Sequence, residues 1–236
     1  TDDLHVLAFG ASGAGQLGDS EPSLCRGKPA ELSELASARP VRVFAGFNGS
    51  AAVCAHGRVY LWGEVGRGKE LIRPTLCEVL ERAGPVRSVA FGRHHSAYLL
   101  VDGSVWMLGD NSKGQLGVGA KIAGTAGQTT PLRLPIKHCC VDVACGRNCT
   151  FLVTEKGTIL GFGEHRFVLG PRRRPLPYVV GREAGAAVSH LTVNAHAMVA
   201  ARSPVRGAAL PFTQAGTEAW GRSSRRVAAL VALGEQ

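Results

Sequence analysis

The chain has 236 residues, 45% of them hydrophobic, with 31 glycines and a formal net charge of +9. Such a length suits one all-β domain, which runs to roughly 200–250 residues, and no apolar run approaches the roughly 20 residues of a membrane-spanning helix. The positive balance favours an acidic partner, whether nucleic acid, a ribonucleoprotein or an acidic protein surface; an Arg-, Ala- and Gly-rich composition in which six of the 27 basic residues are lysine explains it equally well.

Residues 4–9 read as a strand closing on Phe9-Gly10-Ala11-Ser12-Gly13-Ala14-Gly15-Gln16-Leu17-Gly18. Gly13-x-Gly15-x-x-Gly18 also fits the dinucleotide fingerprint, which requires a helix to follow. Asp19-Ser20-Glu21-Pro22 opens none, and the same glycines recur in Leu108-Gly109-Asp110-Asn111-Ser112-Lys113-Gly114-Gln115-Leu116-Gly117, so a turn accounts for them and no cofactor is expected. Weaker copies follow Tyr60-Leu61-Trp62-Gly63 and Leu160-Gly161-Phe162-Gly163, with a trace at Trp220-Gly221. The marker glycines Gly10, Gly63, Gly109, Gly163 and Gly221 are spaced by 53, 46, 54 and 58 residues. A fixed period of that size marks a repeat architecture.

A second element precedes each later marker. Its best copy runs from Val89-Ala90-Phe91-Gly92-Arg93-His94-His95-Ser96 through Asp102-Gly103 to Val105-Trp106-Met107-Leu108-Gly109. Two apolar runs joined at Asp-Gly predict a hairpin with a tight primed turn, because glycine accepts positive φ. Ala55-His56-Gly57 and Glu155-Lys156-Gly157 hold the same place in neighbouring copies, and helical patterns are confined to 29–38 and 71–81. Four-stranded units of roughly 40–50 residues cannot bury their own faces and are expected to pack radially as propeller blades. The expected architecture is an all-β propeller of four to five repeats, incomplete or open, in one domain over 1–236 with clear repeats in 4–170 and degenerate ones in 171–236.

Gly92-x-x-His95-Ser96-x-x-Leu99, Asp102-Gly103, Val105-Trp106 and the Gly109 to Gly117 turn resemble the regulator of chromosome condensation repeat family. The resemblance implies a β-propeller, typically of seven blades, which would need about 350 residues at this period. The chain is therefore expected to be a fragment, a ring of fewer blades, or an open array capped by a partner. It also implies that His95, whose place is taken by Gly49, Cys149 and His196 in other copies, holds strands together within its blade. Members of the family serve in chromatin, tubulin-based, ubiquitin-linked and mitochondrial ribosome-related complexes, and the founding member exchanges guanine nucleotide on a small GTPase.

Repeat-bound positions Gly10, Gly18, Gly63, Gly92, His95, Gly103, Gly109, Gly117, Gly163 and His196 are read as structural. Contact candidates lie outside that pattern. His94 faces away from its neighbour. Arg172-Arg173-Arg174, between Pro171 and Pro175, is expected in an interblade connection where its planar forks suit phosphate or carboxylate. Arg225 and Arg226 extend the basic end, and the long insertion 118–135, with Lys121, is a second candidate surface. Cys139, Cys140, Cys145 and Cys149 beside His138 resemble ligands at first sight, but structural zinc draws on tighter paired turns; Cys145 and Cys149 take the repeat places of Phe91 and His95 and are read as small buried apolar residues. Seven cysteines, an odd number, suggest a reducing compartment such as cytosol, nucleus or mitochondrial matrix.

With no catalytic constellation, cofactor or metal site expected, the function read from the sequence is a non-catalytic interaction module in a multi-subunit assembly, contacting protein or the RNA or DNA backbone. The alternative is guanine-nucleotide exchange on a small GTPase.

Overall fold

Short apolar runs separated by glycine turns fold as antiparallel sheets. The computed structural model describes residues 5–19, 25–119, 127–166, 168–170, 172–182, 188–193 and 198–202, so Lys121, His196, Arg225 and Arg226 lie outside the described residues. β1 (Leu7–Ala11) pairs with β2 (Cys25–Glu31) in a two-stranded first sheet. β3 (Pro40–Ala45), β4 (Gly49–Cys54), β5 (Val59–Gly66) and β6 (Lys69–Leu76) form the second sheet in chain order. β7 (Val86–Phe91), β8 (His95–Leu100), β9 (Val105–Gly109) and β10 (Gln128–Arg133) form the third. β11 (Cys140–Cys145), β12 (Cys149–Thr154), β13 (Thr158–Gly163) and β14 (Arg174–Arg182) form the fourth. β15 (Val188–Val193) pairs with β16 (Met198–Arg202) in a two-stranded fifth. Over the described residues the fold is an all-β, open propeller.

The repeat register explains the marker glycines. Gly49 pairs with Gly63, His95 with Gly109 and Cys149 with Gly163, so the three complete sheets superpose strand for strand. Each marker has positive φ, and a Cβ there would come within 2.2, 2.4 and 2.3 Å of the carbonyl oxygens of Asn48, His94 and Asn148. The core lies between sheets rather than within one. Ala97, Leu99 and Met107 face the fourth sheet, while Tyr98, Leu100 and Leu108 face the second. Period-two alternation thus serves two seams, and burying each large apolar side chain contributes about 1.5–3 kcal/mol.

Several expectations change. The helical pattern at 29–38 divides between the end of β2 and a 3-10 helix, Ser33–Ala38, that seats Leu35 and Ala38 against Trp62. The one at 71–81 divides between β6 and helix α1 (Glu78–Ala83), which buries Leu80. Pro29 and Pro74 are tolerated because β2 and β6 are outermost strands, where a missing N–H breaks no ladder. The insertion 118–135 is likewise not all loop, since Gln128–Arg133 is β10 with Pro131 inside it. The hairpin at Asp102-Gly103 is not a two-residue primed turn. Leu100 N–H donates to the Ser104 carbonyl and Gly103 N–H to that of Leu100, leaving a three-residue loop that ends in a glycine at φ 81°. The glycine pattern 13–18 leads into β2, so a turn rather than a nucleotide-binding helix follows β1.

Candidate functional site

At one rim, the first and second strands of each complete sheet are joined by Gly46-Phe47-Asn48, Gly92-Arg93-His94 or Gly146-Arg147-Asn148. Each loop is closed by its glycine N–H donating to the carbonyl of Gly49, His95 or Cys149, at 2.9, 2.8 and 2.9 Å. The residue after each marker glycine donates its N–H back to the carbonyl of Asn48, His94 or Asn148 at 2.8, 2.8 and 2.9 Å. That bond places Glu64, Asp110 and Glu164 at equivalent points beside the three loops.

All three carboxylates are engaged within the chain. Glu64 accepts from Asn48 Nδ2 at 2.9 Å and lies 2.5 Å from His94 Nδ1. Asp110 lies 3.3 Å from Arg67 Nη1, and Glu164 lies 2.9 Å from Lys113 Nζ. Burial pushes the Asp110 carboxyl up, but hydrogen bonds from the Ser112 hydroxyl and N–H, from Gln115 and from Arg67 outweigh it and hold the group below its ordinary value. Arg93 N–H donates to the Arg147 carbonyl at 3.1 Å, joining the loops of the third and fourth sheets. Glu64, Arg67, Arg93, His94, Asp110 and Lys113 line an open cleft of about 350 Å³.

Beneath the rim the sheets are laced by hydroxyl groups. Ser50, Ser96 and Thr150 occupy one register position, and their hydroxyls donate to the carbonyls of Gln16, Val65 and Gln115 in the preceding sheet at 3.0, 2.8 and 2.8 Å. The Gln-Leu-Gly turn is therefore a plug held by the next sheet, with Gly18 against Trp62 and Gly117 against Phe162. The second sheet closes instead through the two-residue turn Arg67-Gly68, which is why its copy of the motif is weak. His95 is 2% exposed, with Gly92 packed against its ring.

Arg172 and Arg173 are exposed, and Arg173 Nη1 donates to the Ser112 carbonyl at 3.2 Å, at the edge of the same cleft. The connection holding them joins β13 to β14 within the fourth sheet, not one blade to the next. Arg174 differs from its neighbours: it begins β14 and its guanidinium lies 4.4 Å from the Tyr178 ring centre. His94 is partly exposed but tied to Glu64. Cys145 pairs with Thr150 and Cys149 with Gly163, matching Phe91 and His95 of the third sheet, and burial pushes the Cys140 and Cys149 thiols up to about 12. The sequence reading passed over Glu64, Asp110, Glu164, Arg67, Arg93 and Arg147. Their signal was a constant offset from the marker glycine or the histidine position, not a motif of their own.

Two profiles of the Regulator of chromosome condensation (RCC1) repeat match the chain, over residues 102–153 and 86–115. The mouse protein named Regulator of chromosome condensation is 29% identical over 184 residues, covering 67% of this chain and 42% of its own length. Among solved structures, human WBSCR16 aligns with a TM-score of 0.72 at 22% identity, covering 87% of this chain and 55% of that one. Prp20p of Saccharomyces cerevisiae, described with binding properties toward Gsp1p and histones, aligns with a TM-score of 0.70 at 18% identity over 86% of this chain and 52% of its own. The chain thus spans about half the length of each of these three proteins.

Proposed function

The chain belongs to the regulator of chromosome condensation repeat family, and on that premise we propose that it is a non-catalytic interaction module docking an acidic surface of a partner within a larger assembly. One observation carries the reading. The rim carboxylates Glu64, Asp110 and Glu164 are consumed by internal pairs, whereas among the described residues no carboxylate pairs with Arg93, Arg147, Arg172 or Arg173. The surface therefore offers guanidinium forks, which suit carboxylate or phosphate. Guanine-nucleotide exchange, the alternative, calls for acidic contacts toward the GTPase, and the rim acids are already occupied.

The test is capture of partners by the purified chain in low and high salt, with and without nuclease, against an Arg93→Glu/Arg147→Glu variant. A partner held at low salt, released by screening and lost in the variant supports the reading. Release by nuclease alone identifies a nucleic-acid backbone as the acidic group. A partner bound equally by both chains, or accelerated nucleotide release from a small GTPase, overturns it.

A further inference from the structure

The rim cleft holds more hydrogen-bond donors than the chain satisfies. Its two carboxylates are saturated. Glu64 Oε1 faces His94 Nδ1 at 2.5 Å, and Oε2 accepts from Asn48 Nδ2 at 2.9 Å. Asp110 Oδ1 accepts from Arg67 Nη1 at 3.3 Å and from the Ser112 N–H at 3.2 Å, while Oδ2 accepts from the Ser112 hydroxyl at 2.6 Å and from Gln115 Nε2 at 2.8 Å. The donors are left over. The Arg93 guanidinium and Asn148 Nδ2 have no acceptor among the described residues. Arg67 and Lys113 give only part of their donor sets to Asp110 and Glu164. A hollow with surplus donors and saturated acceptors is complementary to an anion.

These donors come from different sheets and are set in place before any ligand arrives. Arg67 stands on the turn between β5 and β6, Arg93 on the loop between β7 and β8, Lys113 on the turn after β9, and Asn148 on the loop between β11 and β12. The Arg93 N–H bond to the Arg147 carbonyl, and a Gly92 so close that a Cβ would lie 2.7 Å from the Gly146 carbonyl oxygen, fix one loop against the next. Asp110 and Glu164 orient the Arg67 and Lys113 head groups without saturating them, which lowers the ordering cost of binding. The hollow of about 350 Å³ falls in the small-molecule range of roughly 300–1,000 Å³. At about 30 Å³ per water it has room for on the order of ten waters, or for several phosphate groups. No described residue lining it is apolar, and its one ring, His94, is tied to Glu64, so a nucleobase or an acyl chain gains nothing there.

We infer that the cleft binds a compact polyphosphate, an anion whose closely spaced phosphoryl groups engage several donors at once and whose organic part, where it has one, is polar. Donors that converge from separate sheets suit the tetrahedral oxygens of a phosphoryl group better than a planar carboxylate. Arg93 supplies the guanidinium fork, Arg67 and Lys113 the flanking charge, and Asn148 a neutral donor. Arg173, bonded to the Ser112 carbonyl, adds positive charge at the edge. The site goes beyond the docking of a partner and is tested on the chain alone, so the two readings stand or fall separately.

The experiment is isothermal titration calorimetry of the full chain, free of magnesium and in about 0.1 M salt, where charges more than about 10 Å apart are screened. The probes are inorganic tripolyphosphate, inositol hexakisphosphate, ATP and citrate. The expected result is a single site for one or both of the first two, with a dissociation constant of about 100 μM or tighter, weakened at least about tenfold by Arg93→Gln. Tighter binding of either supports the proposal and names its source. Arg93 is exposed and its side chain has no partner to lose, so thermal unfolding of that variant matches the unmutated chain. Arg87→Gln removes an exposed charge on β7 that lies more than about 10 Å from the loop at about 3.3 Å per residue, and leaves the affinity within about twofold. No binding of either polyphosphate at about 1 mM, equal losses in Arg87→Gln and Arg93→Gln, citrate held as tightly as tripolyphosphate, or ATP held more tightly than both polyphosphates overturns the proposal.

Discussion

The imidazole of His95 in the third sheet and the hydroxyl of Thr150 in the fourth are bonded across their seam, Nε2 to Oγ1 at 3.0 Å. Thr150 spends its only hydrogen on the Gln115 carbonyl at 2.8 Å. Nε2 must therefore carry the proton it donates, and Nδ1, which has no partner among the described residues, is bare. Replacing Thr150 with valine strands the buried Gln115 carbonyl, at a cost of about 1–3 kcal/mol, and takes from Nε2 its side-chain acceptor. The melting temperature should fall by about 2–4 °C per kcal/mol, read by circular dichroism.

Acid should destabilise the fold through the same histidine. Burial lowers its pKa from 6.5 to about 4, against the opposing pull of the Cys149 backbone and Asp110. The unfolded chain takes up the proton first, so stability is full above pH 6.5 and declines as the pH falls toward about 4, by up to about 1.4 kcal/mol per unit. Asp110, held below its ordinary 3.8, adds a second loss as the pH falls below that value. Urea unfolding at pH 7 and 4.5 should show the first slope in the unmutated chain and a flatter one in His95→Gln. Equal slopes would remove His95 as its source.

Gly109→Ala and Gly10→Ala should differ although both glycines have φ near 110°. Both bear the backbone strain of a side chain at positive φ, of order 1–3 kcal/mol. Only at Gly109 does the new methyl also meet a carbonyl, that of His94 at 2.4 Å. The urea midpoint should drop further for Gly109→Ala, and an equal drop would show that the collision is relieved by small shifts.

Thiol labelling should divide the seven cysteines by position. Cys25 and Cys139 are exposed, whereas Cys140 and Cys149 are buried with their thiols pushed up to about 12. Under native conditions iodoacetamide should modify Cys25 and Cys139 first and reach Cys140 and Cys149 only on unfolding, as peptide mass spectrometry would show.

Neighbouring arginines should also separate. Arg174→Ala removes the contact over Tyr178 inside β14 and should lower stability by about 0.5–1 kcal/mol. Arg172→Ala changes an exposed side chain and should leave stability within about 0.5 kcal/mol. Equal melting curves for the two variants would contradict the distinction.

What could be read beforehand followed from backbone demand. Gly63, Gly109 and Gly163 repeat because nothing larger fits beneath a carbonyl, and the strands before them are apolar on both faces because each sheet has two neighbours. The outermost strands were hard to read because they bury little. β10 reads Gln-Thr-Thr-Pro-Leu-Arg, and each of β2, β6, β10 and β14 carries proline, a residue that argues against a strand except at an edge. The rim was obscure for another reason. Glu64, Asp110 and Glu164 are ordinary acids until Arg67, His94 and Lys113, distant from them in sequence or in another loop, are brought alongside by folding.

The hydroxyls of Ser50, Ser96 and Thr150 all reach backward, so the array has a grain. During synthesis each newly made sheet ties itself to the third strand of its elder or to the loop that follows it, and that tie is absent until the successor emerges. Trimming the chain from its end would thus loosen the last sheet that remains, in the manner of knitting unpicked from the final row.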